Sequence, residues 1–140
     1  MKEKLKPSNV AIVFLQTAQY ISNEISKKLE PLDISSQQLK ILSIVAFSEE
    51  KKVTVNEIKA EMFDPMSNVS RLLNKLMDKK LIVKIRDEKD QRLVFIEVTK
   101  EGLDLLYIGK KAMDEALKSF DSFNEKELEV LLSYMNKVKQ

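Results

Sequence analysis

Two runs rich in Val, Ile and Phe, LIVKI at 81–85 and LVFIEV at 93–98, are the only extended β-type stretches in the chain, and seven consecutive charged or amide residues, RDEKDQR, separate them. Runs of that length and partial alternation around a polar insert read as one antiparallel hairpin. Apart from a brief strand at Val53, the rest must be helix or connection, so the fold class is mainly α (α+β), organised around a single hairpin. Tight two-residue hairpin turns draw on Gly or Asn where φ is positive, and this tip contains neither. Its residues Arg86, Asp87, Asp90 and Arg92 instead repeat one order of charge.

Helical periodicity and capping signals fill the remainder. From Ser8 onward Val10, Phe14, Ile21, Ile25 and Leu29 recur at helical spacing, and Pro31 stops the run. Ser35 with Gln38, Thr54 with Glu57 and Asn124 with Glu127 each place a capping side chain three residues before an amide or carboxylate that can bond back. The first pair opens a short helix with Leu39, Leu42 and Val45 on one stripe. The second opens one through Val55, Ile58 and Met62, and the third a last helix with Leu128, Leu131, Leu132, Met135 and Val138 on one side. Asp64 then Pro65 reads as an N-cap and first helical position of a helix running to about Lys80. Thr99 starts a long helix in which Leu103, Leu106, Met113, Leu117 and Phe120 keep nearly heptad spacing, suited to pairing with another helix. The order is α-α-(β)-α-α-β-β-α-α, without repeats or low-complexity segments.

Composition excludes several kinds of chemistry. The 140 residues make one domain, and 44% hydrophobic with 33% charged content is ordinary for a soluble globular protein. Without Cys there is no disulfide, thiolate metal site, cysteine catalysis or thiol-based peroxide sensing, and without His the usual general base and commonest metal ligand are missing. Two glycines, Gly102 and Gly109, leave no phosphate-cradling loop. The acids Asp87, Glu88 and Asp90 sit on an exposed tip and form no cleft, so no catalytic residue, cofactor or metal site is expected. No apolar run approaches a membrane span, and the MKEKLK start leads into a helix interrupted by Gln16, Gln19 and Asn23, unlike a signal-peptide core. A cytoplasmic protein with no membrane partner is the expectation.

Helix, tight turn, helix and hairpin in that order describe a helix-turn-helix followed by a wing, whose second helix can lie in the major groove of DNA. In SNVSRLLNKLMDKK the residues Val69, Leu72, Leu73 and Leu76 define one buried stripe. The opposite face collects Ser67, Arg71, Asn74, Lys75 and Asp78, with Asn68 and Ser70 on its edges. Arg can read guanine, Asn adenine, Ser either, and Lys can hold phosphate. A solvated helix face of no function has a similar composition, but charge is unevenly placed. Residues 67–92 hold eight basic side chains against four acids, a net +4, while the rest of the chain has sixteen against eighteen, a net −2. A concentration of positive charge at the proposed contact is the electrostatic footprint of nucleic-acid binding.

The tip DEKDQR resembles the D-x-R-D-x-R wing signature of the MarR (multiple antibiotic resistance regulator) family, with Asp87, Asp90 and Arg92 in place and Lys89 where Arg is usual. SNVSRLLNKLMDKKLI resembles that family's recognition helix, SSQQLKILSIV its second helix, and VTKEG the segment before its long dimerisation helix. Two departures stand out: Phe63 and Asp64 occupy a turn that usually holds a small residue or Gly and then an apolar one, and Lys80 stands where Gly is frequent.

The resemblance implies a single MarR-like domain over 1–140. Its winged helix-turn-helix lobe is 35–98, with the recognition helix about 65–80 and the wing about 81–98. Long helices at 8–30 and 100–140 form a dimerisation region. It implies a homodimeric regulator, most simply a repressor, on double-stranded DNA with a pseudo-palindromic operator whose half-sites lie about 10 bp apart. Ser67, Asn68, Ser70, Arg71, Asn74 and Lys75 would contact DNA from the helix. Arg92 would enter the minor groove, and Lys89 or Arg86 would meet phosphate. Asp87 and Asp90 cannot face phosphate favourably and would pair with neighbouring arginines to shape the wing. Small aromatic or anionic effectors act on many such regulators; Tyr20, Phe47 and Tyr107 could line a pocket for one, although aromatics on helices are more often core. The alternative function is a winged-helix protein–protein interaction module without specific DNA binding, which should carry an aromatic or apolar anchor on the same face.

Overall fold

The structure is a computed structural model describing residues 3–62 and 68–140. Helix α1 spans Pro7–Leu29 and is followed by a 3-10 turn at Glu30–Leu32. Helix α2 is Ser36–Ala46, α3 is Val55–Glu61 and α4 is Val69–Asp78. Strands β1, Ile82–Arg86, and β2, Val94–Val98, form a two-stranded antiparallel sheet, and α5, Lys100–Ala116, and α6, Glu125–Val138, complete the chain. Val53 adds an antiparallel bridge to Ile96, exchanging hydrogen bonds of 3.1 and 2.7 Å, so the expected brief strand is present as a single bridge.

All three capping boxes form, at Ser35, Thr54 and Asn124, each satisfying two backbone N–H groups within four residues. The Asp64–Pro65 helix start and the Phe63–Asp64 turn lie outside the described residues. Helix α4 starts at Val69, capped by Asn68, whose Oδ1 accepts from the Arg71 N–H at 3.0 Å.

Helix α2 is the hub. Six of its 11 residues are buried, more than the single stripe of Leu39, Leu42 and Val45 expected, because the helix packs against α1, α3, α4, α5 and β2. Its one buried polar side chain, Gln38, spends its Oε1 on the Ser35 N–H at 2.9 Å and leaves no unsatisfied acceptor. Around α2 the core gathers Leu29, Ile58, Val69, Leu73, Leu76, Ile82, Ile96 and Leu106.

Helix α4 ends in a left-handed turn: the Leu81 N–H bonds Leu76 O at 3.0 Å and the Lys80 N–H bonds Met77 O at 2.9 Å, with Lys80 at φ 61°. This pairing is the Schellman arrangement, which favours Gly at the position Lys80 occupies. A side chain there costs about 1–2 kcal/mol in the left-handed region. Lys80→Gly is therefore expected to stabilise the fold by about 1 kcal/mol after the larger unfolded-state entropy of Gly is deducted, read as a higher urea midpoint at unchanged slope. A lower midpoint would mean that the Lys80 side chain contributes more than its backbone costs.

Just before it, Lys79 donates to the Asp33 backbone carbonyl and lies 3.4 Å from the Asp33 carboxylate, tying the end of α4 to the α1–α2 junction. Helix α5 ends at Ala116, short of the Phe120 expected from its apolar spacing, and residues 118–122 tighten into a 3-10 turn. Ser122 Oγ bonds Ser119 O at 2.8 Å there, a local side-chain bond that competes with helix continuation. The N-terminal half of α1 is exposed throughout and α6 has no fully buried residue, with Leu131 and Met135 half-buried. No helix among the described residues is long and apolar enough to cross a membrane.

Candidate nucleic-acid interface

Helix α4 divides as its sequence requires. Val69, Leu73 and Leu76 are buried and Leu72 half-buried, which turns Ser70, Arg71, Asn74 and Lys75 to solvent. Asn68 is exposed as well, but its side chain is held at the helix cap, where its Oδ1 accepts from the Arg71 N–H. Asn74, nearly two turns further on, makes no such bond among the described residues. Ser67 lies outside the described residues.

Residues 79–81 connect α4 directly to the hairpin, whose register pairs Ile82 with Val98 and Arg86 with Val94. Its tip needs no glycine because side chains make the turns. The Asp87 N–H bonds Leu93 O at 3.0 Å, extending the ladder, and the Leu93 N–H bonds Asp90 O at 2.9 Å. Asp87 Oδ1 accepts from the Lys89 N–H at 2.9 Å and Asp90 Oδ1 from the Arg92 N–H at 3.1 Å, two successive Asx turns. The two aspartates thus play different parts. Asp90 also holds the Arg92 guanidinium, at 3.1 Å from Nε, whereas Asp87 serves a backbone amide instead of the arginine expected for it. Arg92 projects from the tip with its side chain 92% exposed. Arg86, itself exposed, folds across the tip, its Nη1 donating to the Gln91 carbonyl at 2.8 Å. Nothing in the sequence marks that bond, since it exists only once the tip has closed.

Two apolar hollows lie elsewhere. Phe47 and Tyr107 line one of about 350 Å³ with Lys51, Val98, Leu103 and Leu106, and Lys110 Nζ sits 4.1 Å from the centre of the Phe47 ring. Tyr20 belongs to the other, a groove of about 690 Å³ between α1 and the segment from Ser119 to Met135, with Val13, Phe14, Phe123 and Leu131 on its walls. The structure therefore separates Tyr20 from the other two aromatics. At 59%, 59% and 63% exposure, Tyr20, Phe47 and Tyr107 are surface residues of this chain and not the core residues that helical aromatics usually are.

Comparison with known proteins places this geometry. The family described as "Transcriptional regulator SarA/Rot" matches residues 19–107. The uncharacterized HTH-type transcriptional regulator YpoP of Bacillus subtilis is 29% identical over 119 residues, 84% of this chain and 82% of YpoP. Among solved structures, MepR of S. aureus in complex with DNA superposes with a TM-score of 0.81 at 26% identity, covering 96% of this chain and 97% of MepR. AbsC, a MarR family transcriptional regulator from Streptomyces coelicolor, gives 0.80 at 16% identity over 99% of this chain and 96% of its own. BpsR of Bordetella bronchiseptica, whose DNA binding is regulated by 6-hydroxynicotinic acid, gives 0.76 at 15% identity over 94% and 99%.

Proposed function

Because the chain belongs to the SarA/Rot family of transcriptional regulators, with the winged-helix fold of MarR proteins, we propose that it is a cytoplasmic homodimeric repressor that reads a pseudo-palindromic operator. The observation that carries this reading is the solvent face of α4, where Ser70, Arg71, Asn74 and Lys75 stand opposite a stripe sunk in the core. Laid in the major groove, Arg71 and Asn74 have the donors and acceptors to read base edges, and Lys75 holds phosphate. Ser67, which lies outside the described residues, and Asn68 belong to the same proposed contact, since a helix N-terminus favours a phosphate. On the wing, Arg92 enters the minor groove and Lys89 meets phosphate, with Asp87 and Asp90 keeping the tip in shape. Two-fold pairing through α1, α5 and α6 would cover the groove of about 690 Å³ and set two copies of α4 about one helical turn of DNA apart.

Fluorescence anisotropy of the protein on duplex DNA from upstream of its own gene and on a scrambled duplex, across a salt series, tests the reading. Preference of about a thousandfold with a steep inverse salt slope is expected. Arg71→Ala is expected to cost about 1–3 kcal/mol and relax discrimination at one base pair; equal loss on every sequence would assign Arg71 to phosphate. For an effector, the hollow beside Phe47 and Tyr107, with Lys51 in its wall and Lys110 over the Phe47 ring, fits a small aromatic anion, the class to which the ligand of BpsR belongs.

One observation favours a second reading as a protein-binding module. Val83 and Ile85 are 41% and 39% exposed on one face of the hairpin, beside Phe95, which is paired with Ile85, and such a strip can anchor a protein. Equal, weak binding to both duplexes would favour this alternative.

A further inference from the structure

Within the tip, residues 87–92 are all charged or amide residues, so no apolar packing holds them, and among the described residues of the tip none adopts a positive φ that would lock a turn. Its shape rests on hydrogen bonds. Two of these, at Asp87 and Asp90, fasten the chain to itself two residues on. The bond from Arg86 Nη1 to Gln91 O is different: it reaches from the end of β1 across the tip to the Gln91–Arg92 peptide. Asp90 in turn grips the Arg92 guanidinium. The Gln91–Arg92 peptide is therefore held on both sides, its carbonyl by Arg86 and its N–H by the Asp90 carboxylate that also holds the Arg92 guanidinium.

We propose that Arg86 is a positioning residue, which braces the tip so that Arg92 projects in one direction, and that it does not bind phosphate. The inference rests on the reading of the hairpin as a DNA-contacting wing. It replaces, for Arg86, the expectation from sequence that Lys89 or Arg86 meets phosphate. A guanidinium is suited to this task because its planar fork is pre-organised, so little freedom is lost when it bonds a carbonyl at fixed range, and a charged donor strengthens the bond.

The test separates bracing from contact by non-additivity. Arg86→Ala is made in the wild-type chain and in the Lys89→Ala/Arg92→Ala chain, which has no cation left at the tip, and operator affinity is measured for all four proteins. A brace acts through those cations, so Arg86→Ala is expected to weaken the wild type about tenfold and the tip-less chain by less than about twofold. An equal fold-loss in both backgrounds would establish an independent phosphate contact and overturn the proposal. Amide exchange in the protein without DNA gives the second readout. Arg86→Ala should speed exchange at Lys89, Arg92 and Leu93 about tenfold while leaving the core helices and the urea midpoint as they were; unchanged exchange at the tip would also overturn it. If the wild type fails to distinguish operator from scrambled DNA, the wing reading fails, and the exchange experiment still decides whether Arg86 braces the tip.

Discussion

Gly102→Ala is expected to cost about 3 kcal/mol of folding free energy, although it adds one methyl group and improves helix propensity. Gly102 lies in the first turn of α5, where a Cβ would stand 2.2 Å from the Leu81 carbonyl oxygen and 2.6 Å from Val98 Cγ1. The carbonyl cannot swing aside. It accepts from the Thr99 N–H at 3.0 Å, while Thr99 Oγ1 donates to Lys80 O at 2.8 Å and accepts from the Gly102 N–H itself at 3.0 Å. Room can come only from lifting α5 off the hairpin stem, which strains these bonds and loosens Leu106 in the core. Gly109 is the internal control: its added Cβ would meet Leu39 Cδ1 at 2.6 Å, the end of a side chain that can change rotamer. Gly109→Ala should cost about 1 kcal/mol or less, since the gain in helix propensity offsets part of the strain. Urea unfolding of the two variants decides the matter. Equal costs would show that α5 shifts as freely at its start as in its middle.

Phe14→Asp should abolish dimerisation and lower operator affinity by about a hundredfold or more, the scale of the gain when two linked half-sites are engaged together. Within one chain Phe14 is exposed on the wall of the groove between α1 and the 119–135 segment, so the carboxylate remains hydrated and the fold is preserved. Buried against a second copy it would be an unpaired charge, costing several kcal/mol. Sedimentation should report a monomer at micromolar concentration, with helix content unchanged by circular dichroism. A variant that stays dimeric would place the pairing surface elsewhere, and a monomeric wild type would remove the homodimer from the proposed function.

The elements that could be read from the sequence are those whose bonds close locally. A capping box is complete within four residues, so Ser35, Thr54 and Asn124 announced their helices without knowledge of the fold. The buried stripe of α4, and with it the outward set Arg71, Asn74 and Lys75, followed from period alone. The departure noted at Lys80 falls on a left-handed residue, at φ 61°, a conformation that the sequence reading did not assign to it. What could not be read depends on chain segments brought together from a distance or on exposure of the finished surface. The approach of Gly102 to Leu81 needs the hairpin stem already seated on α5. Arg86 and Asp87 were assigned by charge, while their partners, a carbonyl and an amide, are uncharged backbone groups that appear only in the closed tip. For the aromatics Tyr20, Phe47 and Tyr107 the core was the commoner expectation beside a pocket, but burial depends on what packs opposite, and within one chain each stays more than half exposed.

The tie between Lys79 and Asp33 gives α4 the mechanics of a lever. It fixes the C-terminal end of the helix to the junction of α1 and α2, while Arg71 rides near the other end, eight residues or about 12 Å away at 1.5 Å per residue. A tilt of about 10° about that fulcrum would carry Arg71 roughly 2 Å, which is most of the length of a hydrogen bond. Small angular changes at the junction of α1 and α2 would thus become loss of the proposed base contact at the far end, with no rearrangement inside the helix.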